Sequence, residues 1–521
     1  MNDKNYPYND VRRITSLRQL ILENADQFGT QAAFRYRVNK DDIREVSYAG
    51  LKTSIDAYGT YLLANGFREK KIAIMGENSY EWLLSFFSVV NSGNIVIPLD
   101  RELSSAEVRD MIDRSEVSLL IYAESLQGIV SELSDCTSLS TICMKDLSEI
   151  LAEGRSLIEG GDSSFVDYEL DDDALAMIVY TSGTTGKSKG VMLSHRNLAM
   201  DTYGSCSNVF VGDNSILFLP LHHLYGMTAC ILVPFLYGRC VCINRSFREI
   251  ADDLKAYHPE ILFLVPLLIE ALYKKICLPA AKLGETRFQF VKQAFGGKLQ
   301  YIVSGGAAIN PNHIEAFREY GIEVLNGYGI TECAPVVAVN RNKYSKDGSV
   351  GLAIRECELR IDAPNENGEG EICVRGDLVS KGYFQMEKET LDAFVDGWFH
   401  TGDLGYLDPD GFLFVTGRIK NLIILDNGEN ISPEELENKL LVYPIVEEVV
   451  VCEENKKMTA VVFPNAQYAV EQAITDVKQN LEQIVKEINK DLPHYKKLQG
   501  VRIRETEFKK TATQKIIRSE I

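Results

Sequence analysis

The sequence predicts an α/β protein with a large N-terminal domain, a β-rich region after it and a small C-terminal α/β domain. Short apolar runs alternate with helical apolar spacing, as in the strand Ile72–Met75, the helix Ser79–Asn91 and the strand Ile95–Pro98. This strand–helix–strand rhythm is typical of a parallel sheet covered by helices. From Gly368 the pattern changes to short strands separated by glycine turns. After Lys420, strands and a long helix return, which predicts a second α/β domain.

The other elements of the N-terminal part follow from local patterns. Apolar periodicity predicts two helices, a helix with a serine cap and a strand: Leu17–Phe28, Leu51–Asn65, Ala106–Arg114 after Ser104-Ser105, and Ser118–Tyr122. The acidic segment Asp135–Asp173 has only a weak pattern, and we interpret it as a connecting segment.

Later elements surround the glycine-rich stretches. The predicted strands are Ala174–Val179, Val191–Leu193, Ile216–Phe218, Ile261–Val265, Tyr301–Val303, Gly370–Val374 and Gly411–Val415. Ser194 is placed to cap a helix that begins near Arg196. The C-terminal domain is predicted to contain strands and one long helix, namely Leu422–Leu425, Val446–Cys452, Thr459–Phe463 and Ala469–Asn489. We therefore expect an N-terminal domain over 1–417 and a C-terminal domain over 418–521.

The composition is that of an acidic globular protein. The chain has 521 residues, 45% of them hydrophobic, and a formal net charge of −19. This charge argues against a general nucleic-acid binder, which needs a basic face. Glycine, proline and arginine interrupt the most apolar stretch, Leu224–Cys242, so we predict core lining there and no transmembrane span. The eleven dispersed cysteines, without a Cys-x-x-Cys pair, predict reduced, buried thiols and a cytoplasmic location.

The stretch Tyr180–Gly190 combines glycines, hydroxyls and lysines directly after a predicted buried strand. Its glycines let the backbone approach a ligand closely, and its N–H groups, hydroxyls and lysines suit a polyphosphate. It is not the common P-loop, because Thr181 stands where that motif needs a glycine. An ordinary flexible loop is the alternative. The residues assigned to phosphate binding are Thr181, Ser182, Gly183, Thr184, Thr185, Gly186 and Lys187.

The second motif is Asn326–Glu332, in which two glycines bracket the ring of Tyr328. That ring could stack on a nucleotide base. A carboxylate beside bound phosphates makes sense mainly when a hard cation lies between them. We therefore predict that Glu332 helps to hold Mg²⁺, with a hydroxyl from Thr181 or Thr184. The alternative is a turn that carries an exposed acid.

Three polar features follow in the C-terminal third of the chain. The Asp403 carboxylate, in Thr401-Gly-Asp403, can accept both hydroxyl hydrogens of a ribose, and Arg418 offers a fork of donors for phosphate or ribose oxygens. The tail Lys509–Arg518 is basic, and Lys515 on a mobile domain could swing over the phosphate loop. The alternatives are a simple turn for Thr401–Asp403, an ordinary surface arginine for Arg418 and a solvated chain end for the tail.

Taken in order, these motifs resemble the adenylate-forming superfamily, which includes acyl-CoA synthetases, adenylation domains of peptide synthetases and luciferases. The matching stretches span nearly the whole chain: Tyr180–Gly190, Pro220–Gly226, Gly305–Ala307, Asn326–Glu332, Thr401–Asp403, Gly417–Lys420 and Thr511–Lys515. Asp396–Asp403 and Gly417–Glu434 are similar to the signature of long- or medium-chain fatty acyl-CoA synthetases. The chain departs from the pattern at Gln514, where many relatives have glycine, and at His222, where an aromatic residue is common.

The resemblance implies stacked α/β sheets and a small mobile C-terminal domain that rotates about Lys420. It also implies two reactions: a carboxylate attacks the α-phosphorus of ATP to give an acyl-adenylate and pyrophosphate, and the thiol of CoA then displaces AMP. Lys515 would bridge the carboxylate and the α-phosphate, while Mg²⁺ at Glu332 takes phosphate charge. His223 would border the acyl site or gate the thiol tunnel, and the alternative for His223 is a polar residue packed in the core.

The nucleotide contacts implied by the resemblance come from several motifs. Gly305–Ala307 and Tyr328 would bound the adenine, and Asp403 with Arg418 would fix the ribose. The full set predicted to bind the nucleotide outside the phosphate loop is Gly305, Gly306, Ala307, Asn326, Gly327, Tyr328, Gly329, Thr331, Asp403 and Arg418.

The leading hypothesis is an ATP-dependent acyl-CoA ligase that acts on a carboxylic acid, and a fatty acid fits best. The acceptor could instead be an acyl-carrier protein. A nucleotide-binding regulator with an inactive site is the alternative from another class, and the presence of Lys515, Glu332, Asp403 and Arg418 argues against it. The apolar stretch Leu224–Cys242 favours an aliphatic or aromatic acid, whose identity stays open. We expect no nucleic-acid partner.

Overall fold

The computed structural model describes residues 6–39, 42–133, 139–181, 188–244, 246–424, 430–454, 456–510 and 516–518. The chain divides into two compact units. The larger unit comprises Met1–Ala307, Ala316–Leu359 and Val374–His400, and the smaller unit comprises Ala308–Glu315, Arg360–Cys373 and Thr401–Ile521. The domain boundary at 417/418 and the hinge at Lys420 stay predictions.

The helices of the described residues alternate with the strands along the chain. Their bounds are α1 Leu17–Gln27, α2 Tyr48–Ala64, α3 Tyr80–Asn91, α4 Ser105–Ser115, α5 Gln127–Ser131, α6 Leu147–Glu159, α7 His195–Asn208, α8 Leu224–Met227, α9 Val233–Leu236, α10 Ile250–Tyr257, α11 Pro266–Leu272, α12 Leu278–Ala280, α13 Arg287–Ala294, α14 Pro311–Glu319, α15 Glu387–Ala393, α16 Pro433–Leu441, α17 Ala466–Glu471 and α18 Val477–Ile488. Two π-helical turns, Thr228–Leu232 and Tyr273–Cys277, join α8 to α9 and α11 to α12.

The strands fall into separate sheets. Their bounds are β1 Ala32–Asn39, β2 Asp42–Ser47, β3 Lys71–Met75, β4 Ile95–Leu99, β5 Leu119–Tyr122, β6 Ser140–Cys143, β7 Leu175–Thr181, β8 Lys189–Ser194, β9 Asn214–Leu217, β10 Cys240–Ile243, β11 Ile261–Leu264, β12 Tyr301–Ser304, β13 Glu323–Gly329, β14 Val336–Val339, β15 Leu352–Ala353, β16 Glu358–Asp362, β17 Gly370–Arg375, β18 Phe394–Val395, β19 Trp398–Leu407, β20 Leu413–Arg418, β21 Ile423–Ile424, β22 Asn430–Ile431, β23 Val446–Glu454, β24 Lys457–Pro464 and β25 Gly500–Ile503.

The larger unit contains a six-stranded sheet in the order β6-β5-β3-β4-β7-β8. Neighbours from β6 to β7 run parallel, as the strand–helix–strand rhythm predicts, and β8 pairs antiparallel with β7. Side chains of β3 alternate between two cores. Ile72 and Ile74 enter the main core, and Ala73 and Met75 pack with α4 on the other face. The sheet is therefore buried on both sides, as parallel sheets usually are.

A nine-stranded sheet in the order β15-β14-β13-β12-β11-β9-β10-β1-β2 completes the core of the larger unit. Its six central strands, β13 to β1 in this order, run parallel, while β2 and β14 join antiparallel. One continuous apolar cluster contains side chains from both sheets and from α1, α2, α3 and α7. Within it, the ring of Phe235 stacks on Phe87 at 5.6 Å and contacts Phe34 at 5.0 Å. The predicted stacking of α/β sheets is confirmed.

The smaller unit has its own apolar core. Its three-stranded sheet, in the order β23-β24-β25, packs against α16 and α18 through Leu436, Val449 and Leu481 among others. A second small cluster joins Phe508 to Val450 and Val461. These two clusters explain how a short C-terminal piece can fold as an α/β unit.

Serine caps fix several predicted helix starts. The side chains of Ser104 and Ser194 accept hydrogen bonds from the backbone N–H of Glu107 and Asn197, which return the bond in both capping boxes. No helix among the described residues is long and apolar enough to cross a bilayer. The ten described cysteines are free thiols, and eight of them are buried, as their dispersal predicts.

Two predictions about local structure are wrong. The segment 135–173 is more than a connecting segment, because it contains β6 and the 13-residue helix α6. The helix predicted over 469–489 is two helices, α17 and α18. Ala473 adopts a left-handed backbone conformation between them, with φ of 53°, and Asp476 caps α18 through the N–H of Gln479. A left-handed residue and a new N-cap interrupt a helix whatever the apolar spacing around them.

The close packing of α6 on α2 generates a stability prediction. A Cβ atom added at Gly154 of α6 would lie 1.9 Å from the carbonyl oxygen of Ala57 in α2. Gly154→Ala is therefore expected to lower the free energy of unfolding by about 2 kcal/mol, because the helices must separate. The matched control is Gly128→Ala in α5, where an added Cβ meets no atom within 4 Å. Urea unfolding of both variants checks this, and equal midpoints would contradict it.

Candidate active site

The glycine-rich stretch connects two antiparallel strands. Tyr180 pairs with Gly190 and Thr181 pairs with Lys189, so the loop leaves β7 and returns directly into β8. The Thr181 hydroxyl donates to the Lys189 carbonyl at 3.5 Å. Six of the predicted phosphate-binding residues, Ser182, Gly183, Thr184, Thr185, Gly186 and Lys187, lie outside the described residues. A strand-to-strand connection differs from the P-loop, which leads from a strand into a helix.

The C-terminal end of α4 holds the base of this hairpin. The Ser115 hydroxyl donates to the Tyr180 hydroxyl at 2.8 Å. The Arg114 guanidinium lies over the Tyr180 ring, 5.3 Å from its centroid, and donates to the Ser188 hydroxyl at 3.1 Å. These contacts fix both sides of the loop where it leaves the sheet. Sequence reasoning did not identify Arg114 or Ser115, because nothing in the local pattern around α4 points to the loop.

An extended segment, residues 380–384, runs antiparallel along the outer edge of β8. The Lys381 N–H donates to the Met192 carbonyl at 3.0 Å, and the Met192 N–H donates to Gly382 at 2.9 Å. The Phe384 N–H donates to the Gly190 carbonyl at 2.7 Å. The segment therefore adds a third extended stretch beside the hairpin and brings Tyr383 opposite Val191.

Tyr383 links the hairpin to Glu332. Its hydroxyl donates to the Glu332 Oε1 atom at 2.7 Å, and the Lys189 ammonium lies over its ring, 4.5 Å from the centroid. The Ser380 N–H donates to the Glu332 backbone carbonyl at 2.8 Å. Glu332 and Tyr383 are only 8% and 5% exposed. Burial, and then the Glu332 carboxylate, raise the pKa of Tyr383, so its hydroxyl stays a donor at neutral pH.

The turn that carries Glu332 is clamped from α7 and from the π-helical turn after α8. The Val336 N–H donates to the Asp201 carboxylate at 2.7 Å, and the Thr228 hydroxyl donates to the Ala334 carbonyl at 3.2 Å. Asp201 is fully buried, which raises the pKa of its carboxyl group well above the usual value. A Cβ atom at Gly329 would lie 2.3 Å from the Pro335 carbonyl oxygen. The second glycine of the motif is therefore needed for close packing of the turn on itself.

The two parallel strands β12 and β13 bring the other predicted nucleotide motifs together. Ser304 pairs with Asn326, so Gly305–Ala307 leave β12 beside the last residues of β13. Gly306 has φ of +86°, and a Cβ at Gly305 would lie 2.9 Å from the Tyr225 ring. The Ser304 Oγ and Asn326 Oδ1 atoms are buried and have no hydrogen-bond partner among the described residues. Unsatisfied polar atoms at the carboxyl ends of parallel strands are suited to binding a polar ligand.

The remaining predicted residues of the Asn326–Glu332 motif lie along the same path. Gly327 and Tyr328 are in β13, where they pair with Val339 and Ala338, and the Tyr328 side chain is partly buried. Thr331 begins the turn that holds Glu332. The structure thus places this motif between the end of β12 and the hairpin.

His222 and His223 form a pair of rings 4.2 Å apart. His223 is exposed at the start of α8, whereas His222 is largely buried, with its Nε2 atom 3.6 Å from the Asp100 carboxylate. Burial, and then the neighbouring His223, lower the pKa of His222 to about 4. His222 is therefore neutral at pH 7. The exposure of His223 argues against the alternative of a polar residue packed in the core.

In the smaller unit, Asp403 and Arg418 face each other across β19 and β20. The Arg418 Nε atom donates to the Asp403 Oδ1 atom at 2.8 Å, and the carboxylate is 95% buried while the arginine is more exposed. The Asp403 N–H donates to the Thr401 hydroxyl at 3.0 Å, which itself donates to the Ile372 carbonyl at 2.7 Å. Arg418 therefore orients the Asp403 carboxylate, a relation that sequence reasoning did not foresee.

Lys515 lies outside the described residues, but the chain on both sides of it is fixed. Lys510 and Ile516 form an antiparallel bridge, and the Ile517 N–H donates to the Lys509 carbonyl at 2.9 Å. Arg518 pairs with the buried carboxylate of Glu437, which also accepts from the Val451 N–H at 2.7 Å. The described residues on both sides of Lys515 are therefore attached to the core of the smaller unit.

A model of the AMP-binding enzyme family matches residues 21–384. The chain belongs to the AMP-binding enzyme family. A model of the C-terminal domain of AMP-binding enzymes matches residues 420–521. The predicted resemblance to adenylate-forming enzymes, and the prediction that the chain is an enzyme, are confirmed.

Relatives of this AMP-binding enzyme differ in the acids they are named for. The chain is 28% identical over 460 residues to long-chain-fatty-acid–CoA ligase FadD15 of Mycobacterium bovis, and the match covers 78% of this chain and 75% of the relative. It is 26% identical over 528 residues to 4-coumarate:CoA ligase 1 of Petunia hybrida, covering 97% and 93%. It is similar to the solved structure of o-succinylbenzoate coenzyme A synthetase (MenE) from Bacillus subtilis in complex with ATP and magnesium ion, with a TM-score of 0.77, 26% identity and coverage of 96% and 98%.

The fold of the AMP-binding enzyme is also confirmed by this structural likeness, which extends over both α/β parts of the chain. The roles of the individual site residues stay predictions. The structure brings Lys189 and Glu332 together at Tyr383, with Thr181 paired to Lys189, and it brings Gly305–Ala307 beside Asn326–Tyr328.

The Tyr383–Glu332 hydrogen bond generates the prediction for this site. Tyr383→Phe leaves a buried carboxylate without its neutral donor, and a hydrogen bond to a charged group contributes about 1.5–3 kcal/mol. We expect ATP–pyrophosphate exchange to slow by about 10- to 100-fold and to need more Mg²⁺.

The matched control is Tyr122→Phe, which removes a hydroxyl that donates to Gln127 at 2.7 Å in the same unit and makes no contact with Glu332. Exchange rates measured across a Mg²⁺ titration separate the two variants. An unchanged Mg²⁺ dependence in Tyr383→Phe would exclude a positioning role for this hydroxyl.

Proposed function

We propose that this AMP-binding enzyme is an ATP-dependent acid–CoA ligase that activates a largely apolar carboxylic acid, with a fatty acid as its natural substrate. The reaction proceeds through an acyl-adenylate and ends with thioester formation on CoA and release of AMP. The names of the relatives support the acid–thiol ligase class, and they differ in the acid. The choice of a fatty acid rests on the apolar residues described below.

The observation that carries the proposal is the group formed by Glu332, Tyr383 and Lys189 beside the glycine-rich hairpin. A buried carboxylate is retained there next to a cation and a hydroxyl donor. A carboxylate and the hydroxyl of Thr181 are hard oxygen ligands, which is the donor set that Mg²⁺ prefers. Bound Mg²⁺ would supply charge neutralisation to the phosphates. The Tyr383 hydrogen bond would hold Glu332 in the orientation needed before ATP arrives.

Nucleotide alignment is assigned to the strand ends and to the Asp403–Arg418 pair. Adenine would lie against Gly305–Ala307 and Tyr328, where the buried Ser304 Oγ and Asn326 Oδ1 atoms can take hydrogen bonds. The ribose hydroxyls would donate to Asp403, whose carboxylate Arg418 already orients. Because phosphoryl transfer needs little covalent help from the protein, this alignment would supply most of the catalysis.

The loop Ser182–Lys187 would hold the β- and γ-phosphates, and Lys515 would bring the carboxylate and the α-phosphate together. Two anions must approach each other in this step, so a mobile cation between them lowers the electrostatic barrier. The second step has no such requirement, because the carboxylate is already esterified to AMP: the CoA sulfur attacks the uncharged acyl carbon, the bond from that carbon to the phosphate oxygen breaks, and AMP leaves. We assign Lys515 to adenylation alone, Lys420 to the hinge and His223 to the acyl or thiol entrance.

The acyl group would lie against the apolar stretch that follows His223. Every residue from Gly226 to Leu236 is buried, and the described polar side chain among them, Thr228, is bonded to the turn that carries Glu332. An apolar wall continuous with the Glu332 turn suits an aliphatic chain better than a polar acid.

Pyrophosphate release with Mg-ATP is the first experiment. It is measured across carboxylic acids from acetate to palmitate, with benzoate, in the presence and absence of CoA. We expect release that depends on one chain-length class and yields its CoA thioester. Release without a thioester would favour an acyl-carrier protein as acceptor, and thioester formation with benzoate alone would exclude a fatty acid.

Lys515 provides a separate test of the two reactions. Lys515→Ala is expected to slow adenylation by about 100-fold or more, because it removes a positive charge that acts on the transition state. Thioester formation from acyl-adenylate supplied in the assay should change little. Lys509→Ala, which removes another lysine from the same tail, is the control. An equal loss in both reactions would contradict the assignment of Lys515 to adenylation alone.

A further inference from the structure

The surface formed by α11 to α13, residues 267–292, has an unusual composition for this chain. Five of the seventeen large apolar side chains that are exposed among the described residues lie within it, and they are 41–53% exposed: Leu267, Leu278, Leu283, Phe288 and Phe290. The rest of the exposed apolar side chains are spread over both units. Single exposed apolar residues are ordinary, but a group of this kind indicates an interaction surface.

The same surface is basic although the chain is acidic. Residues 267–292 contain five lysines and arginines against two glutamates, in a protein whose net charge is −19. Lys275, Lys282 and Lys292 are exposed and form no salt bridge with any other residue that the structure describes. Lys274 pairs with Glu270 at 2.6 Å, and Arg287 pairs with Glu319 at 2.7 Å. The cations that remain available are therefore interspersed with the exposed leucines and phenylalanines.

The helix α13 lies on the surface of the larger unit and buries little of its own side-chain area. Val291 is its buried side chain, while Phe288, Phe290 and Lys292 face the solvent. The Phe288 ring is supported by Tyr320 at 5.7 Å and by the Arg287 guanidinium, 4.9 Å from its centroid. This arrangement presents apolar rings outward next to ammonium groups.

We propose that the α11–α13 surface docks the enzyme on a membrane that carries anionic lipid. Exposed Leu and Phe side chains among lysines are the combination that enters the headgroup region of a bilayer, with the ammonium groups at the lipid phosphates. Protein–protein interfaces are depleted in lysine, so three unpaired lysines fit a lipid surface better than a protein partner.

The position of this surface gives docking a purpose. α11 begins at Pro266, directly after β11, whose last residue Leu264 pairs with Ser304. The neighbouring Val265 side chain lies 3.6 Å from where a Cβ at Gly306 would be. A membrane bound at α11–α13 therefore lies on the helix that starts at the candidate adenine and acyl site. The functional purpose of docking rests on the proposed fatty-acid substrate, whereas the docking itself does not.

Vesicle flotation of the full chain, without ATP or acid, tests the proposal. We expect the protein to float with vesicles of phosphatidylcholine containing phosphatidylglycerol, to float less with pure phosphatidylcholine, and to be released by salt. Two paired variants are compared: Lys282→Glu with Lys292→Glu, and Leu283→Ser with Phe290→Ser. Each pair is expected to reduce binding by about tenfold or more, since every basic residue near an anionic surface adds severalfold to affinity.

The matched control applies the same changes to another exposed helix, as Lys388→Glu with Leu391→Ser in α15, and should bind as the unaltered protein does. The charge pair replaces exposed side chains, so it keeps the test valid if the apolar pair folds poorly. No flotation of the unaltered protein, or equal flotation of the charge pair, would overturn the proposal. If the unaltered protein does not bind vesicles but forms a dimer that either variant pair dissociates, the surface would instead be a contact with a second copy of the chain. Pyrophosphate release with a soluble acid, measured without vesicles, reports separately on the proposed function.

Discussion

The hydrogen bond from Tyr383 to Glu332 is the interaction on which the rest of the candidate site depends. It joins a carboxylate on the turn after β13 to the chain segment that borders β8, two parts of the larger unit 51 residues apart in sequence. A buried carboxylate is costly unless it is hydrogen-bonded or paired. Tyr383 satisfies Glu332 without neutralising it, and Lys189 over the ring adds positive potential. The site can therefore keep a negative charge inside the protein and present it to a cation.

Close packing makes this arrangement rigid. The turn that carries Glu332 tolerates no side chain at Gly329, and it is held by the buried carboxylate of Asp201 and the hydroxyl of Thr228. The strand ends beside it are packed as tightly, since Gly305 lies against the Tyr225 ring. Catalysis by alignment needs reacting groups held to within a fraction of an ångström. At Gly329 and Gly305 the absence of a side chain is thus what allows this close packing.

The sequence predicted the elements and residues whose signals are local, and missed those set by tertiary contacts. Ser104, Ser194 and the parallel strands were predicted because caps and apolar runs are visible within a few residues. Tyr383 and Asp201 were missed because each acts on residues more than fifty positions away. The helix α6 was missed for a different reason. Its Gly154 weakens helix propensity, yet the absence of a side chain there is what lets α6 pack on the Ala57 carbonyl of α2.

Local charge, more than net charge, decides what this chain can bind. The Debye length at physiological salt is about 8 Å, so a charge of −19 spread over the surface acts weakly on a ligand at any one place. Under the proposed function and the proposed docking, Lys189 of the hairpin and the lysines of α11–α13 would each act within that distance on a different anion. The net charge argues against a general nucleic-acid binder, because that function needs a broad basic face. It does not oppose binding of a nucleotide in a pocket or of lipid phosphates at one edge, because both require only a few nearby cations.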